Sequence, residues 1–449
     1  MHGVSLSRWT LSYFAAALIA LMAAEALMTA GYGFPSAPLR APETLLLVHL
    51  LAIGWLSLLL CGALFQFVPV LVAKPLHSGM LPLPTLLLLL SGLAALLAGF
   101  LQLGGVLPAE PHMPAIAALL LAGGFLLVLY NLGRTLWEAR PLPLSARFVA
   151  VALIFLAATA ALGVLFSLTF AGMVGSGPLL EIAASGVPLH AIAGIGGWLT
   201  FAAMGVSYRL LAMFMLAPET EGIRSKGAFW LGIAALVLAV PGGVLMIISG
   251  APLWLLLALS GAVGLAAIVL YGADIVQLYR TRKRRAIELN SQMAACAVSC
   301  LFAALALSIV LIGLGLFTHH IGAVVFLLGF GWLSGLGLAK LYKIVAFLTW
   351  LECYGPVLGK VPTPRVQDLV TEGPARRWFV LYFLAVVVAT TALLVGYALV
   401  FRLAAGLLLI ATTGIAAHLV RTRRLTGVGL LDGMRRPNLF LPHLEPVQR

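Results

Sequence analysis

Charge is what this chain has least of. Only 9% of its 449 residues are Asp, Glu, Lys or Arg, against about 25% in soluble domains. A soluble fold with so few charges could not cover an interior when 62% of the residues are hydrophobic, so the soluble globular classes are excluded. Cysteine is sparse too. Cys61, Cys296, Cys300 and Cys353 form no disulfide framework. Cys296 and Cys300 are one helical turn apart and read as small packing residues rather than a metal pair. Alternation of apolar and polar residues over segments of about ten is missing, which excludes a transmembrane β-barrel.

Long apolar runs are what is there. They predict twelve membrane spans near 10–31, 44–68, 83–107, 114–135, 147–171, 188–214, 227–250, 252–277, 292–316, 319–345, 377–400 and 403–420. The first run begins after Arg8 and lasts to about Ala30. It exceeds the ~7–15 residues of a signal-peptide core, so it is read as a span. The expectation is one membrane domain over 1–424 and a short tail over 425–449.

Basic residues fall on alternate loops. The loops after even spans hold Lys74, Arg140, Arg224, Lys226, the run RTRKRR at 280–285, Lys360, Arg365 and Arg376, and the tail adds five more arginines. Of the 27 Lys and Arg, only Arg40 and Arg402 sit in loops after odd spans. The positive-inside rule then places both termini in the cytoplasm, as in a bacterial inner-membrane protein. A net charge of +13 invites a nucleic-acid reading. The run at 280–285 directly follows a span, which makes it a topology anchor and an anionic-lipid contact instead. The bilayer is the expected partner, and nucleic acid is not.

One motif occurs three times. The chain reads GWLSLLLCGALFQ at 54–66, GWLTFAAMGVSYR at 197–209 and GWLSGLGLAKLYK at 331–343. Each copy has Gly-Trp-Leu, then Ser or Thr, and closes on an aromatic followed by Gln, Arg or Lys. The tryptophans, Trp55, Trp198 and Trp332, are 143 and 134 residues apart, four spans each time. This predicts repeat units near 10–135, 147–277 and 292–420. The small residues suit close helix approach.

Histidine precedes each copy on the same side of the membrane: His49, His190, and the pair His319 and His320. Polar side chains in hydrocarbon are costly and usually functional. Two acids also lie inside spans, Glu25 and Asp274. Glu25 could face the histidines or pair with Arg40, and Asp274 lies near Arg280. Glu43 and Glu181 are candidates to hydrogen-bond ligand histidines.

Twelve spans in three four-helix arcs, with histidines at the outer ends of spans 2, 6 and 10, resemble subunit I, the catalytic subunit, of haem-copper oxidases and nitric oxide reductases. Their NnrS-like relatives are the nearest in character. The resemblance implies an all-α, pseudo-threefold fold and a role in respiratory or nitric oxide related redox, gas or metal handling. It implies a b-type haem held by His49 and one of His319 and His320, with Arg40 and Arg402 as partners for its carboxylates. His190 and the remaining histidine would hold or border copper or a non-haem iron. Other respiratory subunits or an electron donor would be partners. The sequence departs from that pattern in span 7, GAFWLGIAALVLAVPGGVLMIISG, which has no histidine, and at Gly194, where the family has a redox tyrosine. A complete binuclear copper site is therefore not expected. Two other classes compete: a secondary transporter, which the four-span period and the loop VAKPLHSGM at 72–80 disfavour, and a cofactor-free assembly or scaffold subunit.

Overall fold

In hydrocarbon a backbone amide finds no water, so long apolar segments satisfy their own hydrogen bonds as helices. The computed structural model describes residues 7–108, 110, 112–219, 221–428 and 436–442, and His2, Arg435 and His443 lie outside them. Among the described residues twelve helices are long and apolar enough to cross a membrane. Spans 1 to 6 are Thr10–Ala30, Pro42–Val72, Pro82–Leu103, Met113–Glu138, Leu144–Phe170 and Val187–Met215. Spans 7 to 12 are Ile223–Ile248, Leu253–Arg280, Leu289–Gly313, Phe317–Cys353, Glu372–Val395 and Ala398–Arg423. The protein is an all-helical, multi-pass membrane protein.

The helices overrun the apolar windows at the basic end. Span 10 continues to Cys353 and is 37 residues long, roughly 55 Å at 1.5 Å per residue, well beyond the ~30 Å of hydrocarbon. Its extra turns are held by buried ion pairs. Lys343 Nζ lies 2.7 Å from Glu288, and Glu352 pairs with Arg423, both side chains of that second pair being nearly inaccessible. Sequence hydropathy ends where the hydrocarbon ends, while helical hydrogen bonding does not. A short helix, Pro178–Ser185, interrupts the loop between spans 5 and 6 and had no separate signature.

The chain divides into two compact units. One comprises residues 1–66 and 287–449, carrying spans 1, 2 and 9–12. In it span 1 packs on spans 2 and 12, and span 10 packs on spans 2, 9, 11 and 12. Span 10 is its centre, with 78% of its apolar window buried. At the basic end the tail segment 436–442 returns to this unit, where Asn438 O accepts a 2.7 Å bond from Arg423 Nε and Phe440 O one of 3.0 Å from Ser12. The other unit, residues 67–286, carries spans 3–8, each packed on its neighbour in sequence.

Helix ends follow one rule at the sparsely charged end. Every odd span stops at a glycine with φ between 67° and 84°: Gly31, Gly105, Gly172, Gly250, Gly315 and Gly396. The next residue's N–H then returns to the carbonyl five residues back at 2.8–2.9 Å, from Tyr32 to Leu27 in the first case and from Tyr397 to Ala392 in the last. This is the Schellman cap, which satisfies orphan carbonyls without water.

The tripled motif marks a second irregularity. Spans 2, 6 and 10 each widen into a π-helical segment, Leu50–Ser57, Ile192–Thr200 and Leu327–Ser334. Each segment ends on the Trp-Leu-Ser or Trp-Leu-Thr of the motif. The tryptophans are buried, Trp55 and Trp332 at 0% exposure and Trp198 at 2%. Small residues of the motif meet the preceding span. Gly62 lies under Tyr13, Gly197 under Phe155, Gly205 under Phe148 and Gly331 under Cys300. Close approach is thus the role of those glycines, and Cys300 is a packing residue.

Candidate functional site

His49 is the last residue before the π-helical segment of span 2, and its ring is half buried. Its Nδ1 lies 2.8 Å from the carbonyl of Leu45, one turn earlier. A carbonyl can only accept, so Nδ1 carries the proton and the neutral ring holds its lone pair on Nε2. That is the tautomer and restraint commonly given to a metal-ligating histidine. His190, in the other unit, repeats the arrangement across helices. Its Nδ1 meets Thr159 O of span 5 at 3.1 Å, and Phe166 packs edge-on against its ring. Backbone carbonyls, rather than Glu43 or Glu181, orient both rings. Glu43 sits in the first turn of span 2 beside Tyr32, whose phenol is pushed above its ordinary value by burial and then by that carboxylate. Glu181 is exposed on the short helix Pro178–Ser185.

His319 and His320 lie in the first turn of span 10. Their rings touch at right angles, 4.6 Å between centroids, with His319 exposed and His320 half buried. The packing of spans 2 and 10 fixes their depth relative to His49. Leu51 rests on Gly329, Leu59 and Trp55 rest on Gly337, and Trp55 Nε1 donates to Ser334 Oγ at 2.8 Å. Carried outward in this register, His49 is level with Leu327. His319 and His320 are seven or eight residues further out, about 11 Å along the axis. At the depth of His49, span 10 presents Phe326, stacked on Phe330 and edge-on to Phe401. The expected sharing of one iron by His49 and His319 or His320 is therefore not what these packed helices present.

The arginines divide. Arg402 lies over the end of span 1, where its Nε donates to Thr29 O at 3.1 Å and its side chain covers Gly31. It caps that helix, a favourable place for a cation. Arg40 is exposed in the loop before span 2. Among the described residues no three His, Cys, Asp or Glu side chains are grouped so as to hold a metal ion.

The two intramembrane acids have other partners than those expected. Glu25 is fully buried and accepts a 2.8 Å bond from Thr412 of span 12, not from Arg40. Asp274 accepts from Tyr208 at 3.1 Å and lies 3.4 Å from Arg224, not Arg280. A further network had only a partial sequence signal. Trp55 donates to Ser334, Ser334 donates to Gly329 O at 2.7 Å, and Tyr382 donates to Phe330 O at 2.9 Å. The hydroxyl two residues after each motif tryptophan was visible in the repeat. Its use as the acceptor for another copy's indole was not, because spacing along one helix says nothing of register against another. The polar residue closing each copy is likewise specific: Gln66 takes the Ser7 N–H, Arg209 pairs with Glu219, and Lys343 with Glu288. No protein-family model and no curated protein matches this chain.

Proposed function

We propose that the protein is a haem-binding protein of the bacterial inner membrane, with both termini in the cytoplasm and His49 as axial ligand. It would act in respiratory or nitric oxide related redox or gas handling, on a three-arc helical arrangement akin to subunit I of haem-copper oxidases. The observation that carries the reading is the His49 ring, held by its Nδ1–H in a packed membrane span with Nε2 as the lone-pair nitrogen. A b-type haem would supply one-electron chemistry and an iron able to hold a diatomic ligand. In this reading His319, His320 and Arg40 line the outer rim and serve the haem carboxylates, and Arg402 keeps its place on span 1. A second metal centre is not part of the proposal, since no three-ligand group supports one among the described residues.

With His319 and His320 about 11 Å further out than His49 along the axis, the reading favours a gas-accessible iron over a bis-histidine electron carrier. The test is a reduced-minus-oxidised spectrum of protein purified from a haem-sufficient host, with carbon monoxide added to the reduced form. The expected result is a b-type Soret band that shifts with carbon monoxide. His49→Ala should abolish it, while His319→Ala and His320→Ala retain it. Protein without haem absorbance would leave the cofactor-free scaffold reading in its place. A band lost in the His319 or His320 variant would restore the paired ligation.

A further inference from the structure

Glu25 is fully buried in span 1. Its Oε1 accepts from Thr412, and among the described residues Oε2 has no hydrogen-bond partner. The groups that face it are few. Thr29, on its own span, donates to the Glu25 backbone carbonyl. Span 12 offers Thr412 and, further out, Arg402, whose Nε is committed to Thr29 O. Span 11 offers Tyr382, whose hydroxyl donates to Phe330 O. Span 2 lies antiparallel, with Tyr13 over Gly62 and Thr10 donating to Gly62 O; this register sets His49 and Leu50 at about the depth of Glu25. No Lys or Arg forms an ion pair with it among the described residues.

An ionised carboxylate here would face one neutral hydroxyl in a medium that does not solvate charge, a state strongly disfavoured against the neutral acid. The neutral acid has one donor, the O–H on Oε2, and keeps Oε1 as acceptor for Thr412. We propose that Glu25 is a proton-binding site in the membrane core of this unit. It takes up and releases one proton at Oε2, with Thr412 steadying the carboxyl in both states. Uptake makes the Oε2–H bond as the O–H bond of a hydronium ion breaks to leave water, and release to water reverses both, with no change of oxidation state. The inference does not rest on haem: it uses only spans 1, 2, 11 and 12 and their side chains.

The test is infrared spectroscopy of the full-length protein in lipid at neutral pH, with carbodiimide labelling read by mass spectrometry. The C=O stretch of a protonated carboxyl is expected, moving in D2O as its proton exchanges and disappearing in the near-isosteric Glu25→Gln. Thr412→Val, which removes the donor, should move the band to higher frequency. Dicyclohexylcarbodiimide, which adds to protonated carboxyls in apolar surroundings, should label the peptide that carries Glu25 and not those carrying Glu43 or Glu181. A spectrum from which Glu25→Gln removes no protonated-carboxyl intensity overturns the proposal whatever the labelling shows. A Glu25 band unmoved after prolonged D2O exposure also overturns it, since that proton would be a fixed structural donor.

Discussion

Ser334 accepts a hydrogen bond from Trp55 and donates one to Gly329 within the most buried span of its unit. Both partners are inaccessible to solvent, so removing the hydroxyl strands an indole N–H, while the Gly329 carbonyl keeps its place in the helical ladder. Stranding a buried donor costs about 1–3 kcal/mol, although interhelical bonds in membranes average nearer 0.6 kcal/mol. Ser334→Ala should therefore destabilise the protein by about 1 kcal/mol or somewhat more, measurable as a lower unfolding midpoint in detergent. Ser334→Thr, which installs the residue of the second copy, should retain most of the stability. Equal midpoints for Ala and Thr would show that the hydroxyl contributes nothing. The same scale shows where residue reading from sequence stops. His49, Glu25 and Asp274 stood out because a polar side chain among leucines is conspicuous. Their partners did not, since Leu45 O is backbone and Thr412 and Arg224 are remote in sequence or ordinary in type.

At the scale of the element, the helix ends carry a testable asymmetry. Odd spans stop on left-handed glycines, whereas spans 2, 6 and 12 stop on Ala73, Leu216 and Leu425 with φ of 51–53°. A side chain in that region costs roughly 1–2 kcal/mol. Gly396 has open space around it, so Gly396→Ala isolates the backbone term and should cost about 1 kcal/mol. Leu216 is 56% exposed, so Leu216→Gly gives up little packing and should stabilise by up to about 1 kcal/mol. Opposite signs for the two, read as unfolding midpoints in detergent, are the expected outcome. All twelve spans were legible, because their apolar length and the punctuation by Gly and Arg are one-dimensional signals. The π-helical turns were not. LLAIGWLS and LLGFGWLS have nothing that an α-helix would refuse, and the wider turn is decided by the packing of the neighbouring spans.

For the molecule as a whole, sidedness is the property most open to test. Among the described residues the only Lys or Arg at the sparsely charged end are Arg40, exposed in a loop, and Arg402, inside span 12 and bonded to Thr29 O. Trypsin added to spheroplasts should therefore cut at a single place, after Arg40. Added to inverted vesicles, it should cut at several of the arginines between 280 and 285 and around 365–376. Multiple cuts in spheroplasts would reverse the assigned orientation. The depth of the histidine pair in span 10 was also legible from its distance to Trp332, but its consequence for ligand pairing needed the register against span 2. The π-helical segments have an effect on tolerance to insertion and deletion. A wide turn holds one residue more than an α turn, so deleting one residue between His49 and Trp55 lets the span relax to ordinary helix. The chain would still cross the bilayer, and because the wide turn had absorbed the extra residue, the segments on either side of the deletion would keep nearly the same facing. Each of these spans thus behaves as two rods joined by a slack link: losing one residue there takes up the slack and leaves both rods engaged, whereas the same loss in an α-helical stretch would turn one rod against the other by about 100°.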